Sequence, residues 1–196
     1  MTIQLEPIQR QRVEIPIVGL APVIPHKWSE KSLRLMREKQ SGKKARAQHD
    51  AKVPEEEAEA ALYRLDDGRP GMPATAFKAA ITGAARMFEG VTMTALKQAV
   101  FVVGDGGDQL VPVDGELQLR EDTPRNNNGT ADLRYRYQIW PWHAVLTVEF
   151  LPAMIDQDSL AALVDAGGNG GVGDWRPSSP KSQTGTYGRF AVEEMS

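Results

Sequence analysis

The sequence predicts an α+β fold of ferredoxin-like (RRM-like) type: an antiparallel sheet with two packing helices and an inserted basic arm. Three observations carry this expectation. Residues 12–20 alternate apolar and polar side chains, the period of a half-buried strand. Residues 73–88 repeat apolar positions at helical spacing. Strands, a capped helix and a last strand then follow in the order β-α-β-β-α-β. The chain has 196 residues, 41% hydrophobic and 25% charged. That suits a single domain over residues 1–196 with enough interior for a core, the arm taking up about residues 22–66.

In the first strand Val13, Ile15 and Ile17 face one way; Pro16, which lacks an N–H, belongs at a sheet edge or bulge. The arm carries Lys27, Lys31, Arg34, Arg37, Lys39, Lys43, Lys44, Arg46 and Lys52, with only a narrow apolar stripe at Leu33, Leu35 and Met36. A helix over 54–65 begins with Pro54 and three glutamates, which suits a helix N-terminus. Residues 67–71 form a turn. The helix over 73–88 starts with Pro73 and Thr75 and presents Phe77, Ala80, Ile81, Ala84, Ala85 and Phe88 as its apolar stripe. Its small residues Ala79, Ala80, Gly83 and Ala84 permit close approach to a sheet. Strands are expected at 99–103, 110–119, 133–142 and 143–150. A helix over 156–167 has Asp at its start and Gly at its end, as caps require. A glycine-rich loop over 167–177 and a strand at 187–192 complete the order.

Several function classes are excluded or disfavoured. There is no cysteine, so no disulfide, thiolate zinc site or cysteine nucleophile. The N-terminus lacks the pattern of a signal peptide, and no run approaches the ~18 apolar residues of a membrane span, so a cytoplasmic location is expected. The three histidines, His26, His49 and His143, form no metal-binding spacing, and no GxSxG or HExxH occurs. No enzyme activity, cofactor or metal is expected. The glycine run follows a helix instead of preceding one, which disfavours a nucleotide-cofactor loop.

The features that remain point to binding. The net charge is −3, yet the lysines and arginines of the arm are clustered, and Trp28 with the histidines interleaves rings among them. Lys27, Lys31, Arg34, Lys43, Lys44 and Arg46 suit phosphates, and Trp28 suits a base. A solvated charged helix is the competing reading. Arg134 and Arg136 alternate with Tyr135 and Tyr137, a pattern of cations and rings like the working face of a strand-binding sheet. For the tyrosines the core reading is the preferred one. Trp175 beside Arg176 pairs a large ring with a cation; Trp175 reads as a stacking ring or as a core plug.

Two segments resemble one family. Residues 71–86, GMPATAFKAAITGAAR, resemble the "(I/M)P-x-(S/T)-x-(L/F)-K-G-x-(I/L)-R" helix start of the RAMP superfamily, the repeat-associated mysterious proteins. The run 167–173 with 185–190, GTYGRF, is similar to that superfamily's glycine-rich loop and following strand. Ala79 departs from the pattern, which has Gly there. The resemblance implies RNA-contacting roles for Lys78, Arg86, Gly170, Gly171, Gly173, Trp175, Arg176 and the arm. CRISPR backbone subunits of this superfamily polymerise along guide RNA. The motif over 174–177 looks more like small phage-encoded proteins of this fold. The expectation is therefore a phage-type protein that coats single-stranded nucleic acid, DNA in preference to RNA, with little sequence specificity, as a homo-oligomer or filament acting in phage replication or recombination. The alternatives are a CRISPR-type RNA-binding subunit, an endoribonuclease using His26 or His49, and a structural assembly protein.

Overall fold

The structure is a computed structural model and describes residues 7–42, 53–124, 129, 131–180 and 184–193. Its main sheet contains β1 (Gln11–Gly19), β4 (Val100–Val103), β7 (Arg134–Phe150) and β8 (Phe190–Val192), in the order β4-β7-β1-β8, every pair antiparallel. With α3 (Ala74–Gly83) between β1 and β4, and α5 (Gln157–Gly170) between β7 and β8, this is the ferredoxin-like arrangement expected from the sequence.

The alternation in β1 is real: Ile15 and Ile17 are buried and Arg12 and Glu14 exposed. Pro16 sits on a central strand, not at a sheet edge. It causes no gap because β8 ends beside it, its last contact being Glu193 N–H to the Pro16 carbonyl at 3.0 Å. The helical stripe is buried at Phe77, Ala80, Ile81, Ala84 and Ala85. The α-helix itself stops at Gly83 and tightens into a 3-10 turn at Ala84–Met87, so Phe88 is exposed. The strands expected at 133–142 and 143–150 are one strand, β7. Its second half pairs with β1 and β4, and its first half pairs with β6 (Asp114–Asp122) as a hairpin extending the sheet. Leu110 to Pro112 turns instead into a small second sheet, with β2 (Tyr63–Arg64), β3 (Pro70–Pro73) and β5 (Leu110–Pro112) in order. A helix missing from the sequence reading, α4 (Met93–Ala99), is capped by Thr92, whose side chain accepts from the Ala95 N–H.

The arm resolves into α1 (Glu30–Gln40), capped by Ser29, and the shorter α2 (Pro54–Ala60). Helix α2 packs on β7, whereas α1 has no more than marginal contact with any other element among the described residues.

The glycine run is the main correction to the sequence reading. Residues 167–170 are not loop: they are the last turn of α5. The backbone of α3 at Ala80 and Ile81 receives this second helix. A Cβ on Gly167 would stand 3.0 Å from the Ile81 Cα, and one on Gly168 would stand 1.8 Å from the Phe190 carbonyl oxygen. Glycine is therefore demanded by the contact of α5 with α3 and β8. At Gly170 a Cβ would meet only Ser178, at 3.5 Å, an ordinary contact. Gly168→Ala is expected to destabilise the fold by about 2–3 kcal/mol, since backbone must move to admit the methyl group. Gly170→Ala is expected to be neutral or to stabilise by up to ~1 kcal/mol through helix propensity. Urea unfolding midpoints of the two variants check this pair.

Candidate nucleic-acid interface

Two neighbouring grooves share His26. The first, of about 430 Å³, is lined on its α3 side by Pro73, Ala76, Ala79, Ala80 and Gly83, a wall from which no long side chain projects. Gly171, Gly173, Asp174, Arg176 and Ser178 line it from the loop after α5, and Arg86 from the 3-10 turn. The second groove, of about 350 Å³, is lined by His26, Lys27, Trp28, Arg134, Tyr135 and Arg136, among others.

The loop is held by a chain of charges and rings. His26 Nδ1 lies 2.9 Å from Asp174 Oδ2, and the Arg136 guanidinium pairs with the same carboxylate. Arg136 also reaches Asp122 at 3.3 Å, and Asp122 takes both forks of Arg120 at 2.7 and 2.9 Å. The Trp175 ring lies under both guanidiniums, 4.6 Å from Arg136 and 5.2 Å from Arg120, and Tyr187 lies 4.9 Å from Arg120. Two cations and two carboxylates thus alternate, with the charge of each offset by its neighbours, as a poorly solvated ion pair requires. Burial pushes the Asp174 carboxyl up, but the bond from His26 and the charge of Arg136 outweigh it and hold the pKa below the ordinary value. Trp175 has a left-handed φ of 53°, a backbone state uncommon outside glycine.

Several expected contacts are thereby corrected. Arg136 is 2% exposed and tied to two aspartates, so it is a structural cation and not a phosphate ligand. Trp175 is neither a core plug nor a free stacking ring; it is half-buried and covers the ion pairs. Tyr135 and Tyr137 are half-buried, and the arginine between them is the buried one, the reverse of the expected division. Lys78 turns away from the groove: its Nζ donates to the Lys97 carbonyl at 2.9 Å and lies 3.8 Å from the Phe101 ring centre. Burial lowers its pKa. Gly170 is helical. Gly171 and Gly173 line the groove, but their glycine character answers to the chain itself: both have φ near +70°, and a Cβ on Gly173 would stand 2.6 Å from the Ile24 carbonyl oxygen.

The structure does bring other expected residues together. Arg86 is exposed on the first groove, and Arg176 lines it while donating to the Gly173 carbonyl at 2.9 Å. Neither is paired with a carboxylate among the described residues. Lys27 and Trp28 are exposed on the second groove beside Arg134, which pairs with Asp132 at 2.8 Å. Arg34 is exposed on α1, 3.9 Å from Glu38. Lys43, Lys44, Arg46 and His49 lie outside the described residues, as does the side chain of Lys31. The sequence reading missed Tyr63 and Ser178 as groove residues; no local pattern marks either. Among the described residues no group of three His, Asp or Glu side chains is arranged to hold a metal ion, and no helix is long and apolar enough to cross a membrane.

No protein-family model matches this sequence, and no curated protein is similar to it in sequence. In shape the chain is similar to Cmr6 from Pyrococcus furiosus, with a TM-score of 0.43 and 10% identity over 95% of this chain and 100% of that one. It is also similar to a chain of the type III-B Cmr-beta complex bound to cognate target RNA, with a TM-score of 0.44 and 12% identity over 94% of this chain; it spans 59% of the length of that one.

Asp174→Asn removes one partner of a buried cation and is expected to cost about 3 kcal/mol at neutral pH, near the lower end for such pairs because Asp122 remains. Because the folded-state pKa of Asp174 is depressed, its contribution is present above the ordinary carboxylate pKa and is lost as pH falls through the folded value. Unfolding curves of parent and variant are therefore expected to converge as the pH is taken below about 4.

Proposed function

We propose that the chain binds single-stranded nucleic acid, with phosphates in the first groove, and performs no chemistry on it. The observation that carries this reading is the groove itself. Two arginines without a carboxylate partner among the described residues line it together with a wall of alanine, glycine and proline. Guanidiniums bind phosphate oxygens by paired, charge-assisted hydrogen bonds. The adjoining rings of His26 and Trp28 supply what a single strand offers besides phosphate, namely base faces. A duplex has its faces stacked inside and offers only the first of these.

The net charge of −3 is compatible with this, because the cations that matter are gathered at one place. Affinity then rests on phosphate contacts and stacking, with little base preference. Successive copies of the chain are expected to line up along a long strand, and sedimentation of the protein with and without it reads that out. DNA is the strand first expected from the sequence, while guide RNA is what the family resemblance implies, so both are compared.

Fluorescence anisotropy with labelled oligo-dT, oligo-U and duplex DNA over a salt series tests the reading. Binding to a single strand is expected to weaken steeply with salt. Arg86→Ala with Arg176→Ala is expected to lower affinity roughly tenfold for each arginine and to flatten the slope of log K against log salt by about 1.4. The labelled strand is expected to be recovered intact. Absence of binding to every strand at low salt would overturn the proposal, and RNA cleavage lost on His26→Ala would move the chain to the enzymes.

A further inference from the structure

We infer that the second groove receives one unstacked nucleobase of the bound strand, with the Trp28 ring as the surface on which it stacks. This rests on the strand-binding reading and assigns a place for a base within it.

Trp28 is 56% exposed, more than any other tryptophan among the described residues. Its exposure is not slack. The Lys27 N–H on one side donates to the Ala61 carbonyl at 2.8 Å, and Ser29 on the other side caps α1 by accepting from the Ser32 N–H at 3.2 Å. The backbone is thus pinned on both sides while most of the ring faces solvent. The ring is already half of a stack. His26 lies 6.1 Å from it with the planes 28° apart. A two-ring stack with an open end accepts a third ring by the same offset geometry that joins the first two.

The rest of the groove suits the edge of a base. The Ser29 and Ser32 hydroxyls line it and are 3.0 Å apart, sharing one hydrogen bond. Two hydroxyls carry two donors and four acceptor lone pairs between them; their mutual bond and the Ser32 N–H on Ser29 use one donor and two acceptors, which leaves one donor and two acceptors for the edge of a base. Arg136 borders the same groove, and its guanidinium is already engaged by Asp174 and Asp122. At about 350 Å³ the groove is near the small end of ligand sites, fit for one base and not a stacked run. His26 lines both grooves, so a base entering the second belongs to a nucleotide whose phosphate neighbours the first. Hydroxyls that rotate to suit the ligand imply tolerance of base identity.

The experiment compares a uniform strand of the kind bound more tightly with an abasic strand of equal length, which keeps every phosphate and removes every base. Parent, Trp28→Ala and Trp28→Phe are measured on both. The parent is expected to bind the abasic strand roughly 5- to 100-fold more weakly. Trp28→Ala is expected to lose a similar factor on the base-bearing strand and nothing on the abasic one, with its salt slope unchanged, and Trp28→Phe to restore most of the loss. Equal affinity of the parent for both strands, or full affinity of Trp28→Ala for the base-bearing strand, overturns the inference while leaving the phosphate groove in place. Absence of any salt-dependent binding overturns both. Should Trp28→Ala fail to fold, the parent's discrimination between the two strands decides alone.

Discussion

The carboxylate of Asp174 is the joint on which the candidate interface turns. It meets Arg136 from β7 and His26 from the segment after β1, two points 110 residues apart in the chain. The loop that carries it follows the last turn of α5, and its backbone is tied in the same region by the Asp174 N–H to the Ile24 carbonyl at 2.9 Å. Those bonds place Arg176 and Gly173 opposite α3 and bring His26 to the border of both grooves. A buried guanidinium without its carboxylates costs several kcal/mol, so the loop cannot leave without exposing or stranding Arg136. The groove is preorganised by Asp174, one of its own lining residues, which answers the buried guanidinium of Arg136.

The same network divides the arginines by work. Arg120 and Arg136 are neutralised by Asp122 and Asp174 and covered by Trp175 and Tyr187. Arg86 and Arg176 line the first groove, Arg176 with a bond to the Gly173 carbonyl. The first groove thus has two arginines without a carboxylate partner among the described residues, in a chain whose total charge is negative. Charge on a ligand is felt over roughly a Debye length, about 8 Å at physiological salt, so this local arrangement outweighs the sum. The flat wall of α3 comes from the small residues Ala76, Ala79 and Gly83, which line the groove, while the close approach of α5 falls on the backbone of Ala80 and Ile81.

Much of the fold was legible because its signals are local. The alternation of Val13, Ile15 and Ile17, the stripe from Phe77 to Ala85 and the Asp156 cap each follow from the geometry of one element, and each stands as read. The break at Gly83 and the length of β7 were not legible, since packing against neighbours decided them. At the site, Arg86, Arg176, Lys27 and Trp28 were picked out by residue type and are brought to the grooves, whereas Lys78, Arg136 and Trp175, picked out by the same criteria, are engaged within the protein.

By itself the sequence determined the order of the core β-α-β-β-α-β elements, the α+β class, the exclusion of cysteine chemistry and the presence of clustered cations and rings. Hydrophobic period, caps and residue inventory depend on neighbours a few positions away, and a chain carries them openly. Only the tertiary structure decided which cations are spent. An arginine reads the same in a sequence whether it meets a phosphate or an aspartate; Asp174 lies 38 residues from Arg136 and 148 from His26, and folding alone brings the three together.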